Sequence, residues 1–237
     1  MKNMGYVGVK FRNTSFKFYH YKNDYLFKRM RKTGKIYESE YLNHIYKYHR
    51  HTILGKRVID VGANIGTHSI FFSKICKALV VQAFEPIIKL KNIAKYNRSL
   101  NNISYNRIEI LPIALNNRKD LIKLVASQKN NMGTYRKDGM GLSSYLVNCY
   151  PFDCLAYPEN SVNLAYVKID VEGMELNVIQ GMIETLKKFQ PVIGIESWDI
   201  KESINTILPT LNRIGYKWKY TIPGEEKGIN ILEFIYG

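Results

Sequence analysis

Cysteine is scarce in this chain of 237 residues. Cys76, Cys149 and Cys154 form an odd set with no C-x-x-C pair. They suggest neither a disulfide framework nor a four-ligand zinc site, and a reducing compartment is expected. Long apolar runs are missing as well. Stretches such as Ala78 to Val81 are far too short to span a bilayer, and Met1 to Lys10 lacks the apolar core of a secretory leader, so the sequence reads as soluble and cytoplasmic. Acidic residues are in deficit, with 20 Asp+Glu against 35 Lys+Arg and a net charge of +15. That balance attracts phosphates, anionic surfaces or acidic polymers. What is plentiful, 46% hydrophobic and 13% aromatic residues, excludes disorder as the main theme and supplies a full core.

The charge is uneven along the chain. Residues 1 to 57 hold 14 Lys+Arg and 3 Asp+Glu, a balance of +11, and eight of the 18 Tyr; the other 180 residues carry only +4. Cations interleaved with aromatics suit a strand-binding surface, although a Lys-, Asn-, Ile- and Tyr-rich coding bias explains the composition equally well. The expected organisation is a basic, Tyr-rich extension over 1–50 and one enzyme-sized domain over 51–237. Within the extension, Val7, Val9 and Phe11, then Phe16 and Phe18, alternate as a hairpin does. Asp24 is placed to cap a short helix closed by Gly34, and Glu38 to His49 reads as a second helix. The histidines there, His20, His44, His49 and His51, lack metal-ligand spacing.

From Arg57 the pattern becomes short apolar runs alternating with helical stretches, the form of a doubly wound α/β sheet. Strands are expected at 57–61, 79–84, 107–113, 164–170 and 190–196, and helices at about 66–76, 87–100 and 173–189. A helix bent near Pro209 and an antiparallel strand pair, 216–222 and 229–236, should follow. Residues 116–162, punctuated by Asn130-Asn131-Met132-Gly133, Gly139-Met140-Gly141 and Ser143-Ser144, read as a loop-rich insertion near the site.

The strongest local signal is Val58-Ile59-Asp60-Val61-Gly62-Ala63-Asn64-Ile65-Gly66, an apolar run turning through glycines into a helix. Gly62, Asn64 and Gly66 tolerate left-handed backbone, so the loop can curl round a nucleoside-sized ligand at the helix N-terminus. Glu85, at the end of the next strand, stands where a carboxylate can accept both ribose hydroxyl hydrogens. A dinucleotide would want G-x-G-x-x-G and no acidic residue beside its pyrophosphate. Asp60 instead suits S-adenosylmethionine, which is cationic and has no phosphate.

A second constellation is Val167-Lys168-Ile169-Asp170-Val171-Glu172-Gly173-Met174-Glu175. Lys168 and Asp170 share one face of a strand expected to be buried on both faces, so they should pair or line a cleft. Asp170 and Glu172 would project beyond the strand end, and Glu196 would end the next strand over the same crevice. Such carboxylates could orient a hydroxyl, act as general base or hold a divalent cation. His68, in the first turn after the glycine loop, either faces the substrate or packs.

Together Asp60-Val-Gly-Ala-Asn-Ile-Gly66, Phe84-Glu85-Pro86, Ala114-Leu115-Asn116, the 167–175 stretch, Pro191 and Glu196 resemble the FkbM-type S-adenosylmethionine-dependent methyltransferases, over roughly residues 36–197. Tyr37-Glu38 looks like that family's lead-in, whereas Tyr150-Pro-Phe-Asp153-Cys-Leu155 departs from its usual threonine before Leu-Asp. The resemblance implies the seven-stranded class I methyltransferase sheet, Rossmann-like and mostly parallel with an antiparallel C-terminal strand. It puts Asp60, Gly62, Asn64, Gly66 and Glu85 on the cofactor and Ala114 by the adenine. Asp170, Glu172 and Glu196 fall near the acceptor, with Lys168 in support. Its members methylate hydroxyls of sugars, polyketides and related acceptors, which makes O-methylation of a sugar or glycan the leading expectation. An RNA 2′-hydroxyl acceptor, reached through the basic front segment, and a non-catalytic scaffold are the alternatives.

Overall fold

The computed structural model describes residues 3–126, 135–137, 144–155, 162–225 and 228–237. The chain opens with β1 (Met4–Phe11) and β2 (Thr14–Tyr21), paired antiparallel with Phe11 opposite Thr14. One face of the hairpin buries Val7, Val9, Phe11, Phe16 and Phe18, in the same apolar cluster as Phe71, Phe72 and Tyr166 of the main fold. Among the described residues no strand pairs with the outer edge of β2. Asn97 and Asn101 fill that place with their amides: Tyr19 N donates to Asn97 Oδ1 at 2.7 Å, and Lys17 N to Asn101 Oδ1 at 3.2 Å.

Helix α1 (Tyr25–Thr33) is capped as its sequence suggests, Leu26 N donating to Asp24 Oδ1 at 2.9 Å and Gly34 taking a left-handed φ of 64°. Next come α2 (Ser39–Tyr48), the single turn α3 (Arg50–Ile53), β3 (Arg57–Val61), α4 (Thr67–Lys74), β4 (Val80–Phe84), α5 (Ile88–Leu100) and β5 (Ile108–Leu111). These strands lie where apolar runs of buried parallel strands put them. After β6 (Ala114–Leu115), the stretch expected to be loop holds β7 (Asp120–Ala126), β8 (Tyr135–Lys137) and β9 (Ser144–Tyr150), a small sheet of order β6-β9-β7-β8. That reading is therefore corrected. Its core-facing residues Ile122, Leu124 and Val147 alternate, but Leu121 and Leu146 are 57% and 70% exposed and blur the period. The punctuating segments 130–133, 139–141 and Ser143 lie outside the described residues.

The main fold resumes with β10 (Leu164–Ile169), then α6 (Glu175–Gln180) and α7 (Ile183–Phe189), two helices where the sequence suggested one. β11 (Val192–Ser197), α8 (Ile200–Thr206), α9 (Leu208–Asn212), β12 (Tyr216–Pro223) and β13 (Asn230–Tyr236) complete it. The principal sheet runs β12-β13-β11-β10-β3-β4-β5, with β13 antiparallel to β11 and β12. Among the described residues no helix is long and apolar enough to cross a membrane.

The chain leaves β3 towards β4 and β5 and later returns on the other side of β3 as β10. A crevice therefore opens beyond the carboxyl ends of β3 and β10, the usual ligand position in such sheets. Asn97 ties the front hairpin to the loop at that crevice, since its Nδ2 also donates to Ile65 O at 3.0 Å. Asn97→Ala should lower stability by roughly 1–3 kcal/mol for each backbone group it orphans, read by urea denaturation. An unchanged midpoint would show that these amides do not hold the hairpin.

Candidate functional site

The glycine loop is shaped by two constraints. Gly62 has φ of 79°, and a Cβ on it would stand 1.8 Å from the Asp170 carbonyl oxygen, so only glycine lets the ends of β3 and β10 approach this closely. Asn64 also holds a left-handed φ of 51°. Its N–H donates to Glu85 Oε2 at 2.8 Å, while Glu85 Oε1 accepts from Ile87 N at 2.8 Å. Glu85 thus fastens the loop to the head of α5. Desolvation pushes its carboxyl up to about 8, only partly offset by these two N–H donors.

Gly62, Asn64, Glu85, Ala114, Asp170 and Glu172 line one pocket, whose remaining walls are largely apolar side chains such as Phe84 and Ile113. Five of the six cofactor candidates were thus expected on this loop or its neighbour Glu85; of these, Asp60 and Gly66 do not line the pocket. Asp60 is fully buried behind the loop, where it accepts from Ser69 Oγ and lies 3.5 Å from Lys168 Nζ. Gly66 packs its backbone against Ala94, with φ of 83° at the start of α4.

Lys168 is the hub of the second constellation. At 3% exposure it donates to Gly62 O at 3.1 Å and to Asp170 Oδ2 at 3.0 Å. Burial alone would lower its pKa, yet Asp170, Asp60 and Glu38 outweigh that and raise it above the ordinary lysine value. Desolvation pushes Asp170 up, but Lys168 and a hydrogen bond with Glu196 prevail and hold it below the usual carboxylate range. Glu196 goes the other way: desolvation first, then the Asp170 charge, raise it well above normal. When the pair shares one proton, these shifts favour it on Glu196 over Asp170.

Glu172 takes a left-handed φ of 56° in the turn after β10, a conformation costing about 1–3 kcal/mol. The oxygens of Asp170, Glu172 and Glu196 can all lie within 4.8 Å of one another. For Asp170 the neighbouring cation is Lys168. Glu172 and Met174 also line a second, open cleft with Glu196, Glu175, Asp199 and Glu202, where Trp198 is 42% exposed. Among the described lining residues five carboxylates face one cation, Lys137.

Glu38 is the site neighbour that sequence patterning did not assign a chemical role. It sits in left-handed backbone ahead of α2, 3% exposed, and pairs with His68 Nε2 at 3.0 Å. His68 is thereby packed against Glu38 and lines neither the pocket nor the cleft. No local pattern could have shown this, because the partners come from different elements.

The sheet order and the ligand crevice at its switch point define a class I methyltransferase fold. The FkbM methyltransferase domain matches residues 60–218, and the chain belongs to that family. The fold is shared with an FkbM methyltransferase from Methylobacillus flagellatus KT, at TM-score 0.58 and 16% identity over 80% of this chain and 46% of that one. It also resembles a tRNA (uracil-54, C5)-methyltransferase from Pyrococcus abyssi in complex with S-adenosyl-L-homocysteine, at TM-score 0.52 and 11% identity, covering 97% and 44% of the two chains. A ribosomal protein L11 methylase from Lactobacillus delbrueckii subsp. bulgaricus matches at TM-score 0.51 and 12% identity, over 82% and 76%. The chain spans about half the length of the first two structures. No curated protein matches it by sequence.

Breaking a buried ion pair on one side leaves an uncompensated charge. Lys168→Met should therefore cost about 3–5 kcal/mol at neutral pH in chemical denaturation. A loss below 1 kcal/mol would show that water reaches the two aspartates.

Proposed function

We propose that this protein transfers the methyl group of S-adenosylmethionine to a hydroxyl of a sugar or glycan-linked acceptor. The observation that carries the reading is the junction of two unlike cavities at Glu172 and Met174: a mostly apolar pocket lined by Glu85 and Asp170, and an acidic cleft lined by Glu196, Asp199 and Glu202.

The pocket residues fit the cofactor. Asn64 Oδ1 is buried there without a hydrogen-bond partner, an acceptor awaiting a donor. Glu85 uses one lone pair of each oxygen on backbone N–H groups, so acceptor capacity remains for ribose hydroxyls. Ala114 and Ile113 offer an apolar wall for a flat base. When bound, S-adenosylmethionine supplies a methyl group on a positively charged sulfur.

Asp170 is the group placed to accept a hydrogen bond from the acceptor hydroxyl. Its low pKa does not disqualify it, since an oxygen that has gained a methyl group becomes a strong acid and gives up its proton readily. Lys168 keeps Asp170 ionised and in place, and protonated Glu196 fixes its other side. Trp198 offers the cleft an aromatic face against which a sugar ring can lie. The carboxylates around it disfavour a polyanion, which argues for a sugar rather than RNA.

Asp170→Asn should leave S-adenosylhomocysteine affinity within a few-fold of wild type while lowering turnover by about 100-fold or more. Labelled S-adenosylmethionine with a panel of glycans, nucleosides and RNAs, with and without EDTA, identifies the acceptor class; transfer to RNA alone would overturn the sugar reading. Ionised Glu85 accepts ribose hydroxyls better than its acid form, and its pKa is raised to about 8. S-adenosylhomocysteine should therefore bind more tightly as pH rises through that value, and Glu85→Gln should lack this rise. Parallel pH profiles would remove Glu85 from the ribose site.

A further inference from the structure

His44, His49 and Glu233 are far apart in the sequence and meet in the structure. His44 lies in the middle of α2 and His49 just beyond its end, while Glu233 points inward from β13 with no solvent exposure. His44 Nε2 is 3.2 Å from each carboxylate oxygen of Glu233, and His49 Nε2 is 2.9 Å from Oε2. The expectation that these histidines lack ligand spacing holds only along the chain.

We propose that His44, His49 and Glu233 bind one divalent transition-metal ion of the zinc type, which joins the front helix to the last strand. Two imidazoles and a carboxylate are a zinc donor set, with bonds of about 2.0–2.2 Å, so donors on one tetrahedral ion stand roughly 3.3–3.5 Å apart. The observed separations reach that spacing with outward shifts of a few tenths of an ångström. The second observation concerns His49. Its side chain is 8% exposed, and its Nε2, although close to Glu233, lacks the alignment a hydrogen bond requires and has no other partner. What separates it from His68, whose Nε2 meets Glu38 alone, is the second imidazole on the same carboxylate: His44, His49 and Glu233 bring three donor atoms within 4.8 Å of one another.

The surroundings match those of bound metals. Tyr166 OH donates to Glu233 Oε2 at 3.5 Å and is itself 3.0 Å from Tyr41 OH, an outer layer that orients the carboxylate. Gly194 makes room for both hydroxyls, since a Cβ there would stand 2.4 Å from Tyr41 OH. The His44 side chain, 11% exposed, leaves the site a way in from solvent, and water would supply the fourth ligand. All three donors lie outside the matched span 60–218, so the site belongs to the flanks of this chain and not to the shared methyltransferase core.

The test uses the full chain after chelator treatment. Zinc added against a competing chelator should bind one per chain and raise Tm, magnesium should do neither, and cobalt should give the intense visible absorption of a tetrahedral site. His44→Gln and His49→Gln should each weaken zinc binding by about 100-fold or more, whereas Glu172→Gln should leave it unchanged. The cobalt spectrum reads the site in wild type even if a variant fails to fold. The proposal is overturned by zinc binding below one per chain, by affinity unchanged in both histidine variants, or by loss of binding in Glu172→Gln, which would put the ion among the acceptor-side carboxylates.

Discussion

A single buried ammonium organises the working end of this molecule. Lys168 is out of water, and an isolated charge there would be prohibitive, so its surroundings must supply the compensation. They do so from three directions: Asp60 on the neighbouring strand, Asp170 two residues on, and the carbonyl of Gly62 in the glycine loop. Each partner belongs to a different part of the switch point. Holding the ammonium therefore also holds the ends of β3 and β10, and the loop between sheet and α4, in one arrangement. The same charge helps hold Asp170 below the usual carboxylate range, and burial and the Asp170 charge in turn raise Glu196.

Much of the fold could be read from the sequence because its central strands are covered on both faces. Such strands are mostly apolar, and β3, β4, β10 and β11 appear as apolar runs whose few polar members include Asp60, Gln82, Lys168 and Glu196. The same reasoning failed for the small sheet of β7 and β9, which buries Ile122, Leu124 and Val147 but exposes Leu121 and Leu146. Residues at strand ends were legible in position but not in direction. Asp60 and Glu85 each stand at the mouth of the crevice in sequence, yet pleating turns Asp60 inward to Ser69 and Lys168 and leaves Glu85 against the pocket. Contacts between distant segments, Glu38 with His68 or the histidines with Glu233, leave no local trace at all.

The front segment illustrates how charge and packing can be separate properties of one stretch. Its sequence balance of +11 suggests an appendage for an anionic partner. Its apolar face nevertheless belongs to the same buried cluster as the main sheet, and its edge is completed by amides from α5. Of the alternating residues in β1 and β2, the hydrophobic ones secure the hairpin, and Lys10 and Lys17 are left facing out.

That separation bears on how the acceptor is chosen. The cleft beside Asp170 takes its charge from Glu172, Glu175, Glu196, Asp199 and Glu202, and none of the described residues lining it comes from the basic hairpin. Over distances longer than the screening length of about 8–10 Å, exposed lysines on another face contribute little to the potential in the cleft. On the proposed reading, the carboxylates and Trp198 favour a neutral or cationic ring there whatever the net charge of the whole chain. The overall charge of +15 and the local potential of the cleft are then separate properties, and only the second bears on the acceptor proposed above.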